Sequence, residues 1–390
     1  MIELNNMLFA LLRSVLCAEE LDASLFGELD EAKLESLYKI SKKHDLAHLL
    51  SAALDKAGLL TDNEVSKKFG KQQFLAVYRY ENLKYEYERI CLTLEEARIP
   101  YIPLKGSVIR DLYPEPWMRT SCDIDILVHE SDLEGAVTAL VESLGYRANE
   151  EREYHDVSLF SDSGVHLELH FNIKENNDLL DHVLEQVWNY AEPVDDGAHK
   201  FELSKEFFIY HIFAHASYHF VSGGCGIRPF VDLWILNRVW TYDRKAVIEL
   251  CKQSKIEDFA LAMRSLSEVW LAGEKHSELT EKMEKYLLEG GVYGTQESVI
   301  AIKQQTHGGK LGYAFSHIFA SYEQLKIKYP SLKSKLLVPV YQVRRWVDGI
   351  REKKLKRSVR LLKKNASIDK SKSDEIGSLM NELKLNNHIK

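Results

Sequence analysis

The stretch from Leu104 to His170 holds the residues whose types and spacing could do chemistry. Lys105-Gly106-Ser107 closes a short apolar run and leads into a helical stretch. Glycine lets a backbone approach a ligand closely, and a helix start presents unpaired N–H groups to phosphate. Asp123-Ile124-Asp125-Ile126-Leu127-Val128 alternates strictly. It therefore reads as a strand, with Asp123 and Asp125 on one face and the isoleucines on the other. Adjacent carboxylates repel unless a cation lies between them. Hard oxygen donors select Mg²⁺, with Mn²⁺ as the alternative. Glu168 is a third acid on a later strand, and His166 and His170 share its face as supporting groups. Three carboxylates across one sheet suit two metals, one activating an attacking hydroxyl and one holding a triphosphate as pyrophosphate leaves. Lys105 and Arg119 are cations near the turn, able to neutralise a triphosphate.

The elements that must position these groups follow from local signals. Residues 99–104 read as a short strand edged by Pro100 and Pro103, and Val108–Tyr113 as helical. Ser131–Gly145 reads as a helix with a serine cap and a terminal glycine. Tyr154–Phe160 and Val165–Asn172 read as strands joined by the turn Ser161-Asp162-Ser163-Gly164. This is a small α/β unit. Helical periodicity fills residues 1 to about 98. The run from about Lys71 to Ala97 has Tyr78, Tyr80, Leu83, Tyr85, Tyr87, Ile90 and Leu94 as candidate buried faces. Beyond about residue 200 the chain is helical again, with Glu206–Val221 and Arg228–Trp240 as helices. Glycine-rich breaks occur at 222–226, 290–294 (including Tyr293) and 307–310.

His211, His215 and His219 fall at i, i+4 and i+8 on one helical face. A zinc reading lacks the glutamate of His-Glu-x-x-His, and the histidines lie among Phe208, Ile212 and Phe220. Lining a site, or packing within the helical region, are the remaining roles. Arg228 and Asp232 are spaced to pair on their own helix; alternatively Arg228 reaches a phosphate or an acceptor.

Composition bounds these readings. The 390 residues carry a formal charge of −8 and are 45% hydrophobic, so the chain is globular and not a general nucleic-acid binder by charge. No apolar run is long enough to span a membrane, and the N-terminus, interrupted by Arg13, reads as an amphipathic helix and not a signal peptide. Five scattered cysteines without a Cys-x-x-Cys pair argue against disulfides and favour a reducing cytoplasm. Arg344–Lys364 holds ten basic residues against Asp348 and Glu352, a net +8 that leaves −16 on the remainder. That run could meet an acidic partner, an anionic membrane surface or RNA, or lie as a solvated face on an acidic body. Residues after Ala366 read as frayed and polar.

Leu104-Lys105-Gly106-Ser107, then Leu112-Tyr113-Pro114-x-Pro116-x-x-Arg119, then Asp123-Ile124-Asp125-Ile126-Leu127-Val128 resembles the uncharacterised bacterial nucleotidyltransferase family of the polymerase-β superfamily. Glu168-Leu169-His170-Phe171, the histidine-rich helix, Gly226-Ile227-Arg228 ahead of Asp232, and the late Tyr329-Pro330, Pro339 and Arg344-Arg345 are similar too. Two features depart from the superfamily: Asp123 lies 17 positions after Gly106, a longer gap than the compact pattern, and the third acid is Glu168 where Asp is common. The resemblance implies a mostly helical α+β protein. A helical region at 1–98 would precede a nucleotidyltransferase domain at 99–195, a helical domain at 196–340 and a basic tail at 341–390 with a frayed end. It implies transfer of a nucleoside monophosphate from an NTP to an unidentified small molecule, protein or RNA end. Gly106 and Ser107 would hold phosphates, Asp123 and Asp125 would ligate both metals, and Glu168 would complete the acceptor-side metal. His170, His211, His215, Arg228 and Asp232 are candidate lining residues. The competing expectation is a non-catalytic nucleotide- or partner-binding module on the same fold.

Overall fold

The computed structural model describes residues 2–21, 26, 29–149, 154–292, 294–351 and 355–389; Tyr293, Glu352, Lys353 and Lys354 lie outside the described residues. The chain opens with α1 (Ile2–Leu16), α2 (Glu31–Lys43), α3 (Ala47–Lys56) and the long α4 (Glu64–Glu96). Asp30 and Asn63 cap α2 and α4, accepting from the backbone N–H groups of Lys33 and Ser66. The α/β unit follows: β1 (Tyr101–Pro103), α5 (Gly106–Ile109), two 3₁₀ turns, β2 (Asp123–Val128), α6 (Leu133–Leu144), β3 (Arg147–Ala148), β4 (Asp156–Phe160) and β5 (His166–His170). Next come α7 (Asp178–Leu184) and a hairpin of β6 (Ala191–Pro193) and β7 (Phe201–Leu203). Helices complete the chain: α8 (Lys205–Val221), α9 (Arg228–Val239), α10 (Arg244–Gln253), α11 (Glu257–Ala272), α12 (Glu278–Gly290), α13 (Gln296–Thr306), α14 (Gly309–Ile318), α15 (Tyr322–Lys328), α16 (Val338–Arg351), α17 (Leu355–Ser367) and α18 (Lys370–Glu382). The protein is thus mostly helical around a small mixed sheet.

The sheet runs β1-β2-β5-β4-β3, with β2 and β5 parallel and the other pairs antiparallel. Ile124, Ile126, Leu167 and Leu169 bury one face against Leu83, Ile90 and Leu94 of α4 and Leu133, Ala136 and Leu140 of α6. Alternation sends the intervening acids to the opposite face, toward the later helices. A second core joins the N-terminal helices to those after residue 196. Within it Phe9 of α1 stacks on Trp270 of α11 at 4.7 Å.

Several local expectations change. Tyr78 and Tyr85 of α4 are exposed, because the helix buries only the stripe through Leu83, Ile90 and Leu94. The Ser131 start gives way to a 3₁₀ turn at Glu130–Asp132, and α6 begins at Leu133 without a side-chain cap. Gly145 closes α6 at φ +73°, a conformation that favours glycine. The segment after Ala366 is not frayed. It forms α18, which buries Ile376, Leu379 and Met380 and packs against α13; its apolar side chains recur at helical spacing within a polar composition.

Candidate active site

The acid face of the sheet opens into a cavity of about 660 Å³ lined by Lys105, Gly106, Arg119, Ser121, Asp123, Asp125, Glu168, His170 and Glu175 from the α/β side, and by His211, His215, His219, Arg228 and Asp232 from the helices. That size suits a small-molecule site. The β2–β5 ladder fixes the acids, since Asp123 pairs in register with His166 and Asp125 with Glu168. Donor atoms of Asp125, Glu168 and His170 lie within 4.8 Å of one another, as do those of Asp123, His166 and Glu168. Glu168 is common to both sets. Either donor set could hold a metal ion.

The cluster is electrostatically balanced by its own cations. His170 Nε2 donates to Asp125 Oδ1 at 3.1 Å and lies 3.5 Å from Glu168 Oε2. Burial disfavours the His170 charge, but the two carboxylates outweigh it and raise its pKa to about 9. Burial likewise works against ionised Asp125, yet Lys105, with Nζ 3.8 Å away, and His170 hold that carboxyl well below its usual range. For Asp123, burial and then its neighbours Asp125 and Glu168 outweigh the pull of Lys105 and His166 and push it up to about 6. Glu168 is lowered, first by its hydrogen bond from His170. His166 flanks the acid at 4.0 Å and reaches Ser158 Oγ at 3.0 Å.

The turn before α5 is built with little spare room. A Cβ on Gly106 would lie 2.4 Å from Ser121 Oγ and 3.2 Å from Arg119 Nη1. Lys105 takes φ +36°, rare for a residue with a side chain. Ser107 does not line the cavity: its hydroxyl is buried without a hydrogen-bond partner among the described residues, and its N–H donates to Leu104 O at 3.0 Å. Each helical step rotates the side-chain direction, so Gly106 faces the cavity while Ser107 turns into the fold.

Arg119 and Asp232 form a buried two-point pair between the α/β unit and α9, with Nη2–Oδ2 2.9 Å and Nε–Oδ1 3.1 Å. Tyr113 also donates to Asp232 at 2.7 Å. The Arg228–Asp232 pairing on one helix is therefore replaced. Arg228 instead pairs with Asp45, in the loop between α2 and α3, and lies 3.3 Å from Thr120 Oγ1. Both cations bridge separate parts of the chain while bordering the cavity.

The histidine stripe of α8 faces the carboxylates across this space. His211 and His219 are both held at about 3, by burial first and Lys105 among their neighbours. His211 Nδ1 is buried without a hydrogen-bond partner among the described residues. His215 Nδ1 lies 2.6 Å from Glu175 Oε1. Glu175 and Ser121 were not singled out in the sequence. Glu175 could have been sought because it follows the carboxyl end of a strand in the parallel pair, where ligand crevices form. Ser121, two residues before Asp123, offered no comparable signal.

Comparison with known proteins accords with this geometry. The model of a family described as uncharacterised nucleotidyltransferase matches residues 30–272, from α2 through α11. No curated protein and no solved structure gives a significant match. The match covers more than half of the chain and contains every cavity residue named above, so the protein belongs to this nucleotidyltransferase family.

Proposed function

We propose that the cavity transfers a nucleoside monophosphate from an NTP to an acceptor hydroxyl or amine, with release of pyrophosphate, on a polymerase-β-like core. The observation that carries this reading is the register of β2 with β5, which brings Asp123, Asp125 and Glu168 to one face beside Gly106. The oxygen-rich donor sets fit Mg²⁺ or Mn²⁺. When bound, such an ion supplies Lewis acidity and lowers the pKa of an attacking hydroxyl. Asp123 and Asp125 would ligate both ions, and Glu168 would complete the one on the acceptor side. Lys105 and Arg119 would face the triphosphate, and Gly106 would let its oxygens approach the backbone. Ser107 would take part through the turn it shares with Gly106, and Ser121, whose Oγ accepts from Arg119 Nη1 at 3.0 Å at the cavity wall, would add a hydroxyl toward the phosphates. His170 would fix the orientation of Asp125 and Glu168.

One observation favours the non-catalytic reading. Lys105 and His170 already compensate the carboxylates, as a site without metal would require. The test is slow conversion of each NTP to its monophosphate and pyrophosphate with water as acceptor. Metal-dependent pyrophosphate release that disappears in Asp125→Asn supports transfer. Release that persists unchanged in that variant rejects these acids as the site.

A further inference from the structure

Beyond the family match, α14 and α16 present apolar side chains to solvent. Val340, Val343, Val347 and Ile350 recur at i, i+3, i+7 and i+10 along α16, with Val340 63% and Ile350 60% exposed. On α14, Leu311 is 86% and Phe315 64% exposed. The inner side of α16 makes polar contacts. Gln342 is buried, and Gln342 Nε2 and Trp346 Nε1 both donate to Ile318 O at 3.0 Å. Val338 and Tyr341 of α16 also pack on the small core of Leu325, Tyr329 and Leu332, so the valine stripe is a second apolar side, turned to solvent where a soluble surface helix would be polar. These bonds lock α16 across the end of α14. Phe315 contacts Phe319 at 4.7 Å and Phe319 contacts Trp346 at 5.6 Å, so the two exposed stripes join.

Positive charge borders this surface. Arg344 and Arg351 are exposed next to the stripe, and α17 adds exposed Lys356, Arg360 and Lys363. Arg360 and Lys363 also border a shallow cleft with Lys364 and Gln296. We propose that α14, α16 and α17 form a peripheral docking surface for an anionic lipid bilayer. The valines, Ile350, Leu311 and Phe315 would enter the interface, and the arginines and lysines would meet headgroup phosphates and carboxylates. An exposed apolar stripe with a basic border is the pattern that lies in a membrane interface. A second copy fits less well, because a two-fold contact would bring the +8 segment against itself. Nucleic acid fits less well too, because Val340, Val343, Val347, Ile350 and Leu311 make most of the exposed stripe aliphatic, and aliphatic side chains give bases no stacking platform. No described helix is long and apolar enough to cross a membrane, so contact would be superficial.

The test is co-sedimentation of the full chain with phosphatidylcholine vesicles containing or lacking phosphatidylserine, at about 50 mM and about 500 mM salt. Light scattering and RNA binding run alongside. Binding is expected only to the anionic vesicles and should fall steeply with salt. Val343→Asp/Val347→Asp and Leu311→Ser/Phe315→Ser should each weaken it about tenfold or more. Arg360→Ala/Lys363→Ala should weaken it about 20-fold. All these side chains are exposed, so thermal unfolding should match the wild type. Failure to bind anionic vesicles at low salt overturns the proposal, as does equal binding to neutral ones. A dimer that Val343→Asp/Val347→Asp dissociates, with vesicles ignored, assigns the face to a second copy instead. Binding of RNA with vesicles ignored assigns it to nucleic acid.

Discussion

The cavity has a sheet wall and a helix wall, and histidine behaves oppositely on the two. His170 on β5 and His211 on α8 are both buried. His170 meets Asp125 and Glu168 and is held protonated up to about pH 9. His211 has no such hydrogen-bond partner among the described residues, so burial, and then the positive charge of Lys105, keep it neutral down to about pH 3. Burial is the leading cause acting on both; the hydrogen-bond partners decide the outcome. One wall is thus a set of charged groups, with Asp125 and Glu168 held ionised beside Lys105 and protonated His170. The other carries the neutral histidines of α8, with the ion-paired Arg228 and Asp232 of α9 beside them.

The largest effect should come from removing the carboxylate that organises the charged wall. Asp125→Asn should reduce metal-dependent turnover about 10³-fold or more. It should also lower stability by about 3 kcal/mol, because buried His170 and Lys105 lose a counter-charge. Denaturant titration and pyrophosphate release measure the two losses separately. An unimpaired variant would erase the distinction between the walls.

Next in size is the joint between them. Arg119→Ala should cost about 3 kcal/mol, because it leaves the buried Asp232 carboxylate without a counter-charge and with the Tyr113 hydroxyl as its remaining donor. Arg119→Met/Asp232→Leu, which removes both charges, should recover much of that loss. A cost below about 1 kcal/mol for Arg119→Ala would mean that the pair behaves as a surface bridge.

pH separates the walls directly. His170 has a raised folded pKa, so its contribution is fully present below pH 6.5 and lost as pH rises through about 9. The advantage of wild type over His170→Asn should therefore shrink across that window, by up to about 3 kcal/mol. His211 has a lowered folded pKa, so its contribution is present above pH 6.5 and lost as pH falls toward about 3. Wild type should weaken against His211→Asn on acidification. Parallel slopes for both variants would contradict the assignment.

Asp123 gives a smaller effect. Its carboxyl is protonated below about pH 6, so Mg²⁺ must displace that proton and affinity should fall about tenfold per pH unit below that point. Proton release on metal binding, read in two buffers of different ionisation enthalpy, checks it. Smallest is Ser107→Ala. Its hydroxyl is buried and unpartnered, so stability should change by less than about 1 kcal/mol and NTP affinity by less than about twofold.

The sequence made the acid face legible because a two-residue period leaves little freedom. Once Ile124 and Ile126 are assigned to a core, Asp123 and Asp125 must share the other face. The β4–β5 hairpin was legible for the same reason, with Ser161–Gly164 as its turn. The long-range pairs were not. Arg119 meets Asp232 and Arg228 meets Asp45 across more than 100 residues of chain, and helical spacing favoured a local pair instead. Short elements such as β3 and the β6–β7 hairpin carry too few residues to show a period. The order of α18 was hidden because its burial depends on α13 and not on its own composition.

The most direct measurement is calorimetric titration of each of the four NTPs into the full chain with Mg²⁺, beside an Asp123→Asn/Asp125→Asn double variant. The account predicts metal-dependent binding of at least one NTP that disappears in the variant while its circular dichroism remains native. Binding of equal affinity in the variant, or no binding of any NTP to folded wild type, would contradict the assignment of this cavity as the nucleotidyl-transfer site.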